Sequence, residues 1–252
     1  MEKQKIAFFE VEDWQKEYLS AKLAEVELSF FAEPLSKENV GSVNDCAVIS
    51  PFIYSKIDKE VLHALLNVKL IATRSTGFDH IDVASAKEYK ITVCNVPSYG
   101  ENTVAEHTFS LILALSRKLF DSVLRAKNGD FSLDGLRGFD LKDKTIGIIG
   151  LGHIGLHVAR IAKGFEMKVI AHDLKPDKKL AKKFGFDYTD FEDLLSRSDI
   201  ITLHARYNKA THHLINSENI KFIKKGAYLI NTARGGIIET QAILSALSNG
   251  TL

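Results

Sequence analysis

The sequence predicts an α/β fold with parallel sheets, on three observations. Short apolar runs alternate with longer amphipathic stretches along the whole chain, the pattern of strands buried under helices. The run Ile146-Gly147-Ile148-Ile149 is continuously rather than alternately apolar, as expected of a strand covered on both faces. A glycine-rich segment, Gly150-Leu151-Gly152-His153-Ile154-Gly155, follows that run directly and opens a helical pattern, which is the order of a parallel strand, a tight turn and a crossover helix.

Taken in order, Ile6–Phe9, Ala47–Ile49 and Leu70–Ala72 read as strands, with a shorter one at Thr92–Cys94. Trp14–Leu28 and Lys59–Asn67 carry apolar residues at helical spacing. A small α/β domain is therefore expected from Met1 to about Pro97. Thr103 with Glu106 fits a capping box ahead of the apolar Phe109–Leu115, and no Gly or Pro interrupts until Gly129. One long helix is expected here, at a domain junction or subunit interface, or on the plainer reading in a core. Gly129–Asp143 reads as a connecting loop. After it come strands at Thr145–Ile149, Lys168–Ala171, Ile200–Leu203 and Ala227–Ile230. Helices are expected at Ile154–Lys163, Lys178–Phe184, Phe191–Ser196 and Gln241–Leu247. No internal repeat is visible.

Composition narrows the function classes. The chain has 252 residues, one large or two modest domains at about 150 residues each. Hydrophobic residues make up 45% and charged residues 26%, which argues against disorder. Lys and Arg number 33 against 32 Asp and Glu, a net charge of +1 with no long basic run, so no electrostatic footprint for nucleic acid exists. No apolar stretch approaches the roughly 18 residues of a membrane span. The start from Met1 to Lys5 is charged, and Ile6–Phe9 is too short for a signal-peptide core. Cys46 and Cys94 lie far apart in apolar contexts and are expected as buried thiols in a reducing, cytoplasmic setting. The pair His212-His213 has no partner carboxylate or cysteine making a plausible metal set, and no metal is expected.

Gly150–Gly155 fits G-x-G-x-x-G, a pattern that is weak alone and informative after a buried strand and before a helix. Gly150 permits the tight turn, Gly152 lets a pyrophosphate approach the backbone, and Gly155 lets the helix pack close to the sheet. The amides of the turn, with His153 and Ile154 as the first helical residues, then face the phosphates at the helix N-terminus. The competing reading is a purely structural turn. Asp173 ends the next strand, 23 residues after Gly150. A carboxylate there accepts hydrogen bonds from an adenosine ribose and disfavours a 2′-phosphate, so NAD is expected over NADP. Lys175 nearby could meet a phosphate or simply be solvated.

Beyond this turn the chain resembles the D-isomer-specific 2-hydroxyacid dehydrogenase family, most of all its D-lactate dehydrogenase members. The matching stretches are Arg74-Ser75-Thr76-Gly77-Phe78-Asp79-His80-Ile81-Asp82, Asn95-Val96-Pro97 with Val104-Ala105-Glu106, Gly150–Gly155 with His172-Asp173, and Asn231-Thr232-Ala233-Arg234-Gly235-Gly236. The resemblance implies two Rossmann-like domains with parallel sheets and a cleft between them. Residues 1–100 would form a flavodoxin-like substrate domain, and residues 101–252 an NAD-binding Rossmann domain incomplete at its C-terminal end. It implies that Arg234 grips a 2-keto acid by its carboxylate and polarises the carbonyl, a task suited to a guanidinium fork. Ser75, Thr76 and Gly77 resemble the turn whose amides hold the substrate carboxylate. Tyr99 resembles a substrate-side aromatic; a core or surface tyrosine is the alternative. Thr232 and Ala233 would line the nicotinamide pocket, and His204 and Ala205 the cofactor-contacting strand end. The family usually carries Pro where Arg206 stands.

The implied partners are NAD, a small 2-hydroxy or 2-keto acid such as D-lactate or pyruvate, and a second copy in a homodimer. The family's proton donor is a His supported by a Glu, both downstream of the Arg matched by Arg234, and no His follows Arg234 in this sequence. The sequence therefore reads as a truncated dehydrogenase with weak or absent turnover. The resemblance also admits a non-catalytic NAD-binding regulator on the same scaffold, or a dehydrogenase for phosphoglycerate, glyoxylate or phosphite.

Overall fold

Parallel strands joined by helices build both halves of the chain. The computed structural model describes residues 4–252, so residues 1–3 of the charged N-terminal stretch lie outside it. The chain divides into two compact units between Tyr99 and Gly100.

The first unit runs β1 (Lys5–Phe8), α1 (Asp13–Lys22), β2 (Glu27–Phe30), β3 (Val48–Ser50), α2 (Lys59–Ala64), β4 (Leu70–Ala72), α3 (Val83–Glu88) and β5 (Thr92–Cys94). All strand pairs are parallel, in the order β2-β1-β3-β4-β5, which is the flavodoxin-like order 2-1-3-4-5. Phe9, Leu35, Ile49, Leu62 and Ile71 are fully buried in its core. Asp58 and Asp82 start α2 and α3 by accepting first-turn N–H groups. The helix expected over Trp14–Leu28 stops at Lys22, because Glu27–Phe30 pairs with β1 from Lys5↔Glu27 to Phe8↔Phe30. Stacking of Phe8 on Phe30 at 5.7 Å rewards that register. Cys46 is buried, but Cys94 is exposed on the edge strand β5.

The second unit runs α4 (Glu101–Ser116), α5 (Leu119–Lys127), β6 (Thr145–Ile149), α6 (His153–Gly164), β7 (Lys168–His172), α7 (Lys178–Phe184), β8 (Asp187–Tyr188), α8 (Phe191–Arg197), β9 (Ile200–Leu203), β10 (Tyr228–Asn231) and α9 (Thr240–Ser248). Its parallel strands lie in the order β10-β9-β6-β7-β8. Renumbered within the unit and read from the other edge, this is 3-2-1-4-5, the order of the dinucleotide-binding fold.

Two expectations about the apolar helix are corrected. It starts at Glu101 with Gly100 as N-cap, so Thr103 lies inside the first turn and does not cap it. It also breaks after Ser116, where Lys118 turns left-handed at φ 52°, and α5 restarts as a separate helix. Ala105, Thr108, Phe109 and Ile112 of α4 are buried, and Phe109 stacks on Phe165 at 5.4 Å. The plainer core reading therefore describes α4. On α5, by contrast, Phe120 and Leu124 are exposed. Among the described residues no helix is long and apolar enough to cross a membrane.

Candidate functional site

The glycine turn joins β6 to α6 with little freedom in its backbone. Gly150 has φ 95°, and a Cβ there would lie 2.6 Å from the Ala205 nitrogen. A Cβ on Gly155 would lie 2.1 Å from the Gly150 carbonyl oxygen, so the first turn of α6 rests directly on the strand end. Gly152 differs: it is the N-cap of α6, no side chain caps that helix, and a Cβ there would meet nothing within 4 Å. Two glycines are thus required by the protein itself, and the third faces open space beside uncapped helical amides. Such a helix end attracts anions through its N–H groups and its dipole.

Register aligns the neighbours of this turn. Ile149 is level with His172 on β7 and with Leu203 on β9, so Gly150, Asp173 and His204 lie together just past the carboxyl ends of three neighbouring strands. Asp173 accepts the Leu151 N–H at 2.7 Å through one carboxylate oxygen and the Lys175 N–H at 2.9 Å through the other. His204 extends the ladder by donating its N–H to Ile149 at 2.8 Å. Its Nε2 lies 2.9 Å from the Thr202 hydroxyl, and its Nδ1 is enclosed without a partner. Burial pushes its pKa down to about 4, so the imidazole is neutral near pH 7. Exposed His153, at the helix start, pairs with Glu101 at 3.4 Å. The Arg206 side chain is exposed, and its carbonyl accepts the Thr211 hydroxyl at 2.7 Å.

Thr232, Ala233 and Arg234 follow β10. A cavity of about 460 Å³ opens there, lined by Thr103, Val104, His107 and Leu111 of α4 with Asn231, Thr232 and Ala233. The Thr232 and Thr108 hydroxyls lie 3.1 Å apart. Asn231 shapes the loop by accepting the Ala233 N–H at 3.0 Å and donating to the Arg234 carbonyl at 2.9 Å. The Arg234 side chain is exposed, one of its nitrogens donating to the Ala233 carbonyl at 3.0 Å. Sequence reasoning missed Thr103, His107 and Leu111 as cavity residues, since their helical pattern signalled only packing.

The remaining sequence-predicted residues belong to the first unit. Ser75 is buried, its hydroxyl donating to the Gly77 carbonyl at 2.7 Å and lying 2.8 Å from the Thr73 hydroxyl. Thr76 is exposed, donates to the Val96 carbonyl at 2.9 Å and accepts from the Asn95 side chain at 2.8 Å. Tyr99 is exposed. The structure thus gathers Gly150–Gly155, Asp173, His204 and Ala205 around one turn, and Thr232 and Ala233 around one cavity. Ser75–Gly77 form a separate turn at the end of β4.

The strand order, the glycine turn at the first strand–helix junction and the acid just past the next strand together define the second unit as a dinucleotide-binding domain. Residues 109–252 match the family profile of the D-isomer specific 2-hydroxyacid dehydrogenase NAD-binding domain. The chain belongs to that family. It is 41% identical over 224 residues to a 2-hydroxyacid dehydrogenase homolog of Zymomonas mobilis, covering 88% of this chain and 68% of the relative. It is 35% identical over 249 residues to the D-lactate dehydrogenase of Escherichia coli, covering 97% and 75%. The crystal structure of D-lactate dehydrogenase from Aquifex aeolicus complexed with NAD and lactic acid is similar at TM-score 0.93 and 38% identity, covering 98% of this chain and 74% of that one.

Proposed function

We propose that this chain carries the substrate-binding and NAD-binding parts of a dehydrogenase that interconverts a D-2-hydroxy acid and its 2-keto acid, with D-lactate and pyruvate as the first pair to test. The observation that carries the reading is the open space at Gly152 beside uncapped amides, between two glycines that tolerate no side chain. Those amides, with His153 and Ile154 at the helix start, hold the diphosphate, and Asp173 holds the adenosine ribose. His204 and Ala205 wall the cofactor side past the end of β9 as neutral groups, and Thr232 and Ala233 line the nicotinamide end. When bound, the nicotinamide supplies or accepts a hydride.

The chain's own residues bind and orient the acid. In the second unit Arg234 is the group that grips a carboxylate and polarises a carbonyl; in the first, the Ser75–Gly77 turn takes a substrate carboxylate through its amides and Tyr99 is a substrate-side aromatic. The apolar Phe52-Ile53-Tyr54 segment favours a small aliphatic keto acid. Proton delivery falls to a His–Glu pair of the kind the family carries downstream of the matching Arg, and no His follows Arg234 here. The assembly is a homodimer, to which the exposed Phe120 and Leu124 of α5 contribute.

Gly152→Asp tests the reading, because stability and binding move in opposite directions. The backbone at Gly152, φ −69° and ψ −168°, accepts a side chain, and an Asp at an N-cap adds a few tenths of a kcal/mol over Gly. The same carboxylate fills the phosphate space and repels it. Calorimetric titration of the wild type with NADH should give heat, and the variant should bind at least tenfold more weakly with an unchanged or higher melting temperature. No heat with the wild type, or equal affinity in the variant, would falsify the reading. The same samples should turn over pyruvate only at background and sediment as a dimer. An ordinary dehydrogenase rate would remove the need for a downstream His–Glu pair, and a monomer would remove the second copy.

A further inference from the structure

The sheet of the first unit reverses its strand order between β1 and β3, and open α/β sheets hold ligands outside the carboxyl ends of the strands at such a switch. Glu10 stands there, just past β1, with its side chain in the loop that follows β3. One carboxylate oxygen accepts the N–H groups of Phe52 at 3.1 Å and Ser55 at 3.0 Å, and the other those of Ile53 at 2.9 Å and Tyr54 at 2.8 Å. The Ser55 hydroxyl donates to it as well. Four consecutive amides and a hydroxyl therefore converge on one anion, as in backbone nests. Burial alone would raise the Glu10 carboxyl, and the bonds from Ser55, Tyr54 and Phe52 override it and hold the group below the usual carboxylate range.

The backbone bears a strain to make this possible. Glu10 has φ 57°, a left-handed conformation that glycine adopts freely and a residue with a Cβ does not. Arg74 braces it, donating to the carbonyls of Phe9 at 2.7 Å and Glu10 at 3.1 Å and to that of Ser50. Glycine would suit this backbone better; what it lacks is the carboxylate. The pinned loop then reaches the Ser75 turn, because the Thr73 hydroxyl donates to the Phe52 carbonyl at 3.3 Å and lies 2.8 Å from the Ser75 hydroxyl. Ile53 and Tyr54 have fixed amides but side chains that are 40% and 74% exposed. The loop is rigid on its inner side and displays apolar groups on its outer side.

We infer that Glu10 is a positioning residue for substrate recognition, an internal anion that fixes the 52–55 loop and through it the presentation of Ile53, Tyr54 and the Ser75 turn to a small 2-keto acid. It touches no reacting atom. The inference rests on the reading of Ser75–Gly77 as the turn that holds the substrate carboxylate.

The test uses the full chain as wild type, Glu10→Gln and Glu10→Gly, the last chosen because glycine fits the left-handed backbone if the amide variant fails to fold. Each is saturated with NADH and titrated with oxamate, a stable isostere of pyruvate, while amide hydrogen exchange is followed at residues 52–55. In the variants those four amides should exchange at least tenfold faster and oxamate affinity should drop at least tenfold, with NADH affinity within twofold of wild type. Faster exchange with unchanged oxamate affinity makes Glu10 a staple of the loop and nothing more, which overturns the inference; unchanged exchange overturns it too. A wild type that binds NADH but not oxamate removes the substrate reading of the Ser75 turn, and the inference with it. That outcome is told apart by being seen before any substitution is made.

Discussion

His204 follows β9, with its Nε2 on the Thr202 hydroxyl and its Nδ1 enclosed without a partner. In the unfolded chain an imidazole takes a proton near its ordinary value of 6.5, whereas the folded site holds out until about 4. Between those values the unfolded state binds more protons, so stability falls as pH drops through that window and is unaffected above it. At about 1.36 kcal/mol per unit, the loss approaches ~3 kcal/mol by pH 4. Denaturant unfolding from pH 7 to 4 should show this slope in the wild type and a flatter one in His204→Gln, which keeps an amide near Thr202; superimposable slopes would sink the claim. Residues differ in how openly the sequence announces them. Gly150 and Gly155 were legible because a positive φ and a 2.1 Å contact leave only one residue type possible. Glu10 was not, since a single acid after an apolar run has no pattern, and its four amide partners lie more than forty positions away.

At the scale of elements, the junction of α4 with the loop before β6 depends on one close approach. A Cβ on Gly138 would lie 2.0 Å from the Ser116 carbonyl oxygen, and the next residue, Phe139, donates its N–H to that oxygen at 3.0 Å. The loop thereby satisfies a carbonyl that the end of α4 leaves open. Gly138→Ala must push this backbone away and lose the bond, at a cost of about 2–3 kcal/mol for the overpacking and the freed carbonyl. A denaturant midpoint within about 0.5 kcal/mol of wild type would show that the loop yields at no cost. Neither this contact nor the break before α5 was legible, because Arg117 and Lys118 are good helix formers and the left-handed residue is a lysine. The buried strands were legible from continuous apolarity. β2 was not, because its first residues, Glu27 and Leu28, fall at the end of a helical pattern and only the pairing with β1 makes the segment a strand. The two-residue β8 is too short to carry any periodicity.

At the scale of the whole chain, each hydrophobic core is drawn from one unit. The first gathers residues between Ala7 and Val93, and the other two gather residues from Ala105 onward. The glycine turn, Asp173 and the Thr232 cavity all belong to the second unit, as does the match to the NAD-binding domain. A ligand that binds only the folded form of one unit stabilises that unit by mass action, about 2.7 kcal/mol at a hundred times its Kd. For a unit of this size that corresponds to a rise of roughly 5–10 °C. Scanning calorimetry should therefore resolve two transitions, of which NADH moves one by this amount and leaves the other in place. Limited proteolysis with and without NADH should then show protection gained after Gly100 and none gained before Tyr99. If both transitions rise together, or if the protection gained with NADH lies in the first unit, the assignment of the dinucleotide to the β6–α6 turn fails.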